Sequence, residues 1–364
     1  MEFNGSELRL ARVFNGFSLE EVAEAVGKTR QYIHKLETGQ AMPTDSMIIE
    51  LGLFLRVLPG FFFNTSRCVS SEEQFHFRKL FTTRAMVKQV AMARGEMLAR
   101  LAAAFDREIK LPKVDIPDFG NAATSEEIEV AAENCRREWG LGMGPITDMN
   151  RLAEHIGVMV TSFHSLSKEV DALSVATARP LIVRNEAKES VCRQRFDIGH
   201  ELGHLVLHAG VPTGDRDTEG QANRFSGSLL IPRSMMAKLF PRPKGSRLDW
   251  NAISEFKLTW KMSKAAILYR ARKLELITDE QYKTGAITLR RTGEALGERE
   301  DYKIPPEGPE LLSKSFQFLA QRKEIFGGDV AALLNIKPSL LEELVGFPIP
   351  KDPRPKKNHL ALVA

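Results

Sequence analysis

The residues best suited to chemistry are concentrated in Phe196-Asp197-Ile198-Gly199-His200-Glu201-Leu202-Gly203-His204-Leu205-Val206-Leu207-His208. His200 and His204 are four positions apart, so on a helix they share one face, one turn above the other. Two neutral imidazoles at that spacing can reach one metal ion, and Zn²⁺ accepts His nitrogens at about 2.0–2.1 Å. Glu201 adjoins the first imidazole but is turned about 100° around the helix. It is poorly placed to join the same ligand set and well placed to take a proton from water held at the metal. This is the division of labour in a His-Glu-x-x-His helix. The apolar Phe196, Ile198, Leu202, Leu205 and Val206 predict that the rest of the helix is buried.

Two ligands leave such a site incomplete, and the sequence offers a third downstream. From Thr218 a second helical pattern runs through Glu219, Ala222, Phe225, Ser226, Leu229 and Leu230, and Pro232 ends it. Glu219 stands in its first turn on the inward face. A carboxylate there completes a His/His/Glu set and leaves a fourth position open, as a catalytic rather than a structural zinc site requires. Asn223, one turn on, could orient Glu219 or His204. His208 repeats the four-residue spacing; it could stabilise an oxyanion, although a His at a helix end more often bonds a carbonyl. Arg193 and Arg195 read as surface charges or ion-pair partners just ahead of the helix.

The string Arg195-Phe196, His200-Glu201-Leu202-Gly203-His204 and His208, then Glu219, Ala222-Asn223, Phe225 and Leu229-Leu230-Ile231-Pro232, resembles the ImmA/IrrE family of metallopeptidases. Upstream, Arg137, Trp139-Gly140, Pro145-Ile146, Gly157-Val158, Asp171-Ala172 and Ile182-Val183 extend the likeness, which spans roughly 125 to 235. It implies Zn²⁺ on His200, His204 and Glu219, Glu201 as general base, and a protein substrate; members often cleave helix-turn-helix repressors. Gly199 departs from the Ala more usual before the first His, a change expected to matter little.

The elements that must carry this site follow from the rest of the chain. Residues 5 to about 63 read as a compact helical set, with Leu8, Leu10, Ala11 and Phe14 forming the first apolar stripe. Ser18 and Glu21 make a capping box, Gly27 a turn, and Thr29 caps a helix that turns Ile33 and Leu36 inward. Leu51 to Leu58 reads as the closing helix. With Glu37, Gly39 and Pro43, the segment resembles the Xre/lambda-repressor-like family. The start of the second helix of such a motif enters the major groove. Arg30, Gln31 and Lys35 are then set to read bases, and Thr29, Tyr32 and Gln40 to touch phosphate. Between Gly5 and Asp45, Arg9, Arg12, Lys28, Arg30 and Lys35 face Glu7, Glu20, Glu21, Glu24, Glu37 and Asp45, so this is not a basic domain. Docking a protein in place of DNA is the alternative.

From Arg78 to Lys113, nine Lys or Arg stand against Glu96, Asp106 and Glu108. Met86, Val90, Ala93, Met97, Leu101 and Ala104 recur at helical spacing, which suits either a homodimer seam or a helix packed on the peptidase domain. Pro112, Pro117 and Gly120 mark a linker. Beyond it Ser125 to Glu138 and Asp148 to Ile156 read as helices. Val158–Thr161, Leu173–Ala178 and Pro180–Arg184 read as strands, the last two as a hairpin. A small sheet beside the metal helix is the zincin arrangement implied by the resemblance, and an edge strand there could pair with an extended substrate. Trp250 to Leu276 forms a further helix pair, Arg290 to Pro309 an extended arm, and Leu311 to Phe347 more helices, with a faint second helix-turn-helix around Asn335.

The expected fold class is α+β and mostly helical: an N-terminal five-helix helix-turn-helix domain, a zincin-like domain with a small sheet, and a helical C-terminal region. Boundaries are placed at 1–68, 69–120, 121–285 and 286–364. Of 364 residues 43% are hydrophobic and 27% charged, with a net charge of +4, which by itself does not argue for nucleic acid. Cys68, Cys135 and Cys192 fit no metal or redox spacing and suit a reducing cytoplasm; no signal peptide or membrane span is evident. Three functions fit: a DNA-bound regulator with a zinc endopeptidase, latent until triggered, cutting a repressor or antitoxin-like partner; a transcription factor whose metal domain senses without turnover; and the DNA-binding half of a toxin–antitoxin, stress-response or phage-defence system.

Overall fold

The computed structural model describes residues 2–65, 74–77, 85–163, 172–185, 190–245 and 247–354. Cys68, Arg78 and Asp171, drawn on above, lie outside them. The chain divides into two compact units: Met1–Arg67 with Gln89–Lys110 and Leu312–Ala364, and Cys68–Lys88 with Leu111–Leu311.

In the first unit α1 (Gly5–Phe14), α2 (Leu19–Ala25), α3 (Arg30–Glu37) and α4 (Asp45–Leu55) are followed by a 3-10 turn, Pro59–Phe63. Ser18 and Glu21 cap α2 reciprocally, and Thr29 accepts the Tyr32 N–H at the start of α3. The closing helix begins at Thr44, which caps it, and stops where Arg56 turns left-handed, earlier than the apolar run to Leu58 suggests. The fifth helix is therefore the short 3-10 turn.

The long helix is present as α5 (Ala85–Glu108), but its apolar stripe is not free to be a dimer seam. Ala93, Met97, Leu101 and Ala104 are buried, and Arg100, itself buried, bonds Glu7 at 2.7 and 2.8 Å and Glu96 at 2.7 Å. The C-terminal helices α14 (Leu311–Lys323), α15 (Gly327–Leu333) and α16 (Pro338–Val345) complete this unit. Phe316 meets Phe105 edge to face at 5.0 Å, and the Leu58 N–H donates to the Asn335 carbonyl at 2.8 Å. The faint second helix-turn-helix is therefore a packing element.

The second unit contains β1 (Phe75–Phe77), α6 (Ser125–Glu138), α7 (Met149–His155), β2 (Met159–Phe163), β3 (Ala172–Val175), β4 (Leu181–Asn185), α8 (Val191–Leu207), α9 (Arg216–Leu230), α10 (Arg233–Leu239), α11 (Trp250–Trp260), α12 (Lys264–Lys273) and α13 (Asp279–Arg291). The sheet order is β1-β3-β4-β2. The expected hairpin is β3 against β4, with Val175 opposite Leu181; β2 runs parallel to β4, and β1 antiparallel to β3. Leu202, Val206, Phe225, Leu229, Val160 and Ile182 share one apolar core.

Two expected loose segments are pinned to this unit. In the Pro-bearing stretch the Asp115 N–H donates to Ile156 O (2.9 Å) and the Phe119 N–H to Val206 O (2.8 Å). In the supposed arm, Glu298 and Asp301 hold the buried Lys257 at 2.7 and 2.5 Å, and Glu294 and Glu300 hold Lys264 at 2.5 and 2.9 Å. Charges taken from water need partners of this kind. No helix among the described residues is long and apolar enough to cross a membrane.

Candidate metal centre and nucleic-acid surface

The centre is built where α8 and α9 cross. A Cβ on Gly203 would meet Phe225 and Ala222 at 3.1–3.2 Å, and one on Gly199 would come within 2.6 Å of Ser226 Oγ. That hydroxyl donates to Phe196 O at 2.7 Å, so it is not idle. Alanine before His200 would make Ser226 shift, so the exchange carries a cost where little effect was expected. At the start of α9, Asp215 accepts the N–H groups of Asp217 (2.8 Å) and Thr218 (3.0 Å), setting Glu219 in the first turn.

The crossing brings His200, His204 and Glu219 together. One donor atom from each lies within 4.8 Å of the others. His200 Nε2 and His204 Nε2 are 3.0 Å apart; Glu219 Oε2 is 3.4 Å from the first and Oε1 3.3 Å from the second. Donors at about 2.0–2.1 Å from a tetrahedral ion lie about 3.3–3.4 Å apart, so the two spacings to Glu219 match Zn²⁺ and the imidazole pair is somewhat closer.

The protonation pattern fits it as well. His208, the C-cap of α8, approaches Gln221 Oε1 through Nε2 (2.8 Å) and His204 Nδ1 through Nδ1 (2.9 Å). The Gln oxygen only accepts, so His208 Nε2 donates, its Nδ1 accepts, and His204 Nδ1 must carry a proton. Asn223 Oδ1 likewise takes the Nδ1 proton of His200 at 3.1 Å. Both Nε2 lone pairs then face each other and a carboxylate, and the buried Glu219 Oε1 has no hydrogen-bond partner. A cation resolves that arrangement. Burial pushes His204 down to about 4, keeping it neutral. Asn223 therefore orients His200, not Glu219 or His204, and His208, held by the Gln221 side-chain oxygen, orients His204.

Glu201 is 1% exposed, and its Oε2 accepts from Ser174 Oγ on β3 at 2.6 Å. Burial, ahead of the lowering by His200 and Ser174, raises its carboxyl to about 7. Ser174 and Gln221 escape sequence reasoning, although a lone Ser between the buried Leu173 and Val175 is a signal in hindsight. His76 escapes it too: the ring, wholly buried, stacks on His204 at 5.3 Å and 9°. Arg195 lies within α8 and is 1% exposed, not on the surface; it pairs with Glu307 and donates to Ile146 O at 2.7 Å. Arg193 is also inside the helix and donates to Ala295 O. Outside the centre, Asn223 and Gln221 line an open cleft of about 660 Å³ with the cations Arg216, Arg224 and Lys273.

On the first unit, Thr29, Arg30, Gln31, Lys35 and Gln40 are exposed along α3 and the turn after it. Arg30, Gln31, Lys35 and Gln40 line one shallow groove with His34, which sequence reasoning did not single out. Arg30 pairs with Glu20 at 2.8 Å, both largely exposed. Thr29 is occupied in capping, and the Tyr32 hydroxyl points to Met42 O at 3.4 Å. Two of the acids that cancel this segment's charge, Glu7 and Glu37, are buried against Arg100 and Arg12. Arg12 is itself in the count, so the exposed charges of the segment balance, with Arg9, Lys28, Arg30 and Lys35 against Glu20, Glu21, Glu24 and Asp45. Cys135 and Cys192 are buried thiols, both pushed up by burial, Cys192 to about 12.

Residues 153–272 match the family described as an IrrE N-terminal-like domain, and residues 8–62 the family described as helix-turn-helix. Residues 63–152 lie outside both matches. The comparison with curated proteins found no match. The metal-type cluster falls inside the first match and the exposed α3 face inside the second, so the chain joins a helix-turn-helix domain to an IrrE N-terminal-like domain.

Proposed function

We propose that the protein is a DNA-binding transcriptional regulator whose second unit is a zinc-dependent endopeptidase acting on a regulatory protein, a repressor or an antitoxin-like partner, in the cytoplasm. The observation that carries the reading is the trio of inward donor atoms on His200, His204 and Glu219 with Glu201 buried beside them. Zn²⁺ held by those three would supply Lewis-acid activation of water and of a peptide carbonyl.

The remaining steps belong to the chain. Glu201, fixed by the Ser174 hydroxyl, accepts the proton that the attacking water gives up as its oxygen bonds to the carbonyl carbon. It returns that proton to the departing amine as the C–N bond breaks, so its own protonation is restored each turn. Asn223 and His208 keep the two Nε2 atoms unprotonated throughout. On the first unit, Arg30 and Gln31, with Lys35 beside them, would pair with base edges, and Thr29, Tyr32 and Gln40 with the backbone of operator DNA.

The test is metal content and proteolysis measured on the same samples. Glu201→Gln is expected to retain about one Zn²⁺ per chain and to lose cleavage of proteins encoded beside it. Unimpaired cleavage would remove Glu201 from the base role, and a wild-type chain that takes up no zinc would sink the hydrolase reading.

A further inference from the structure

Strand β1 lies between the two matched stretches of the chain and occupies a position of consequence. Strand β3 carries Ser174, which holds Glu201, so it is the strand that runs beside the candidate base. An extended peptide brought to that carboxylate by strand addition would pair with the side of β3 facing away from β4. In this chain that side is taken. Phe75, His76 and Phe77 lie antiparallel opposite Val175, Ser174 and Leu173. The Ala176 N–H donates to Gln74 O at 2.8 Å, and the Gln74 side-chain Nε2 donates back to Ala176 O at 2.7 Å.

The side chain at the centre of β1 enters the site itself. His76 is 0% exposed and lies nearly parallel over the ring of His204. Its Nδ1 is 3.1 Å from Thr213 Oγ1, whereas its Nε2 is buried with no hydrogen-bond partner. A buried ring nitrogen left unpaired is a cost, and a ladder of three residue pairs is short. Both work against the hold of His76 on its place.

We propose that Gln74–Phe77 is a built-in occupant of the substrate edge: it pairs with β3 where an extended substrate segment would pair, and the centre stays closed until it leaves. The consequence for cleavage rests on the peptidase reading above; the occupancy itself does not. The segment that must move is carried on the stretch joining the helix-turn-helix to the peptidase-family domain, so a change in one domain has a covalent route to the other.

The test uses the zinc-loaded full chain with Glu201→Gln, so that nothing is cut, and a fluorescently labelled peptide with the sequence of residues 71–80. Proline cannot donate to a strand ladder, so His76→Pro should release β1. His76→Ala removes the ring yet leaves the backbone able to pair, which keeps the test open if the proline variant does not fold. Anisotropy should show the peptide binding at least tenfold more tightly to the His76→Pro chain than to the chain with His76, with His76→Ala in between. Hydrogen exchange at the Ala176 amide should accelerate in the same order. Equal peptide affinity for all three, or no binding to any, overturns the proposal. Cleavage of the same peptide is then read with Glu201 restored. A gain in binding without cleavage would fail the peptidase reading and leave the occupancy standing.

Discussion

At the scale of single residues, the centre depends on side chains that never touch an ion. Gln221 and Asn223 each present an oxygen to a ring N–H, one through His208 and one directly, and so decide which nitrogen of His204 and His200 keeps its lone pair. Such partners commonly change metal affinity about 10–100-fold when removed. His208→Ala takes away the acceptor for His204 Nδ1–H, so zinc affinity measured by chelator competition should fall by about that factor while the fold persists. Affinity unchanged from wild type would show that His208 only fills space. The grouping of His200, His204 and Glu219 was legible because a helix fixes what lies four residues on and because Glu219 falls in the first turn of a clearly bounded second helix. The partners were not. A third histidine at the same spacing looks like a ligand or a helix end, and only the arrival of Gln221 from α9 makes it an orienting group. Ser174 lies 27 positions before Glu201, with no local pattern linking the two.

At the scale of elements, the α8–α9 crossing and the segment beyond α13 each hold a consequence the sequence concealed. Alanine is the better helix former, by roughly 0.8–1.0 kcal/mol over glycine, yet at position 199 its Cβ would press on Ser226. Overpacking of that kind costs about 1–3 kcal/mol. Gly199→Ala should therefore lower the thermal midpoint in the wild-type background and raise it once Ser226→Gly has cleared the space. The same sign in both backgrounds would refute the close-approach account. Glu154 on α7 ties down the segment beyond α13: its Oε1 accepts the N–H groups of Glu310 and Leu311 at 2.9 and 2.8 Å. Burial, ahead of the lowering by those two N–H groups, raises its carboxyl to about 7 from 4.5. Between those values the folded chain holds a proton that the unfolded chain has lost, so stability falls as pH rises, by about 3 kcal/mol over the window. Glu154→Gln keeps the accepting oxygen and cannot ionise. It should equal wild type near pH 4 and exceed it near pH 8; parallel pH profiles would dismiss this role. Helices with caps and stripes were legible throughout. The three-residue β1 was not, because Phe75-His76-Phe77 is too short to show a period and draws its stability from β3, a hundred residues away in sequence.

At the scale of the whole molecule, order along the chain is not order in space. Residues from Leu312 onward belong with the N-terminal helices, while Glu294, Glu298 and Glu307 belong with the second unit. The sequence read as four successive segments because helical periodicity says nothing of which helix receives a stripe, and the buried ion pairs that decide it join residues far apart. Two cores with different ligands should respond to those ligands separately. A ligand that binds only the folded form stabilises it by RT ln(1 + [L]/Kd), about 2.7 kcal/mol at one hundred times Kd. Calorimetry of the full chain should therefore show two transitions. Chelation should lower one and added Zn²⁺ restore it, while DNA from upstream of the protein's own coding sequence should raise only the other. Arg30→Ala, which loses about 1–3 kcal/mol of base recognition, should shrink the DNA-dependent shift and leave the zinc-dependent one untouched. A single transition moved by both ligands would mean that the two units unfold as one, and the assignment of metal and DNA to separate cores would have to be abandoned.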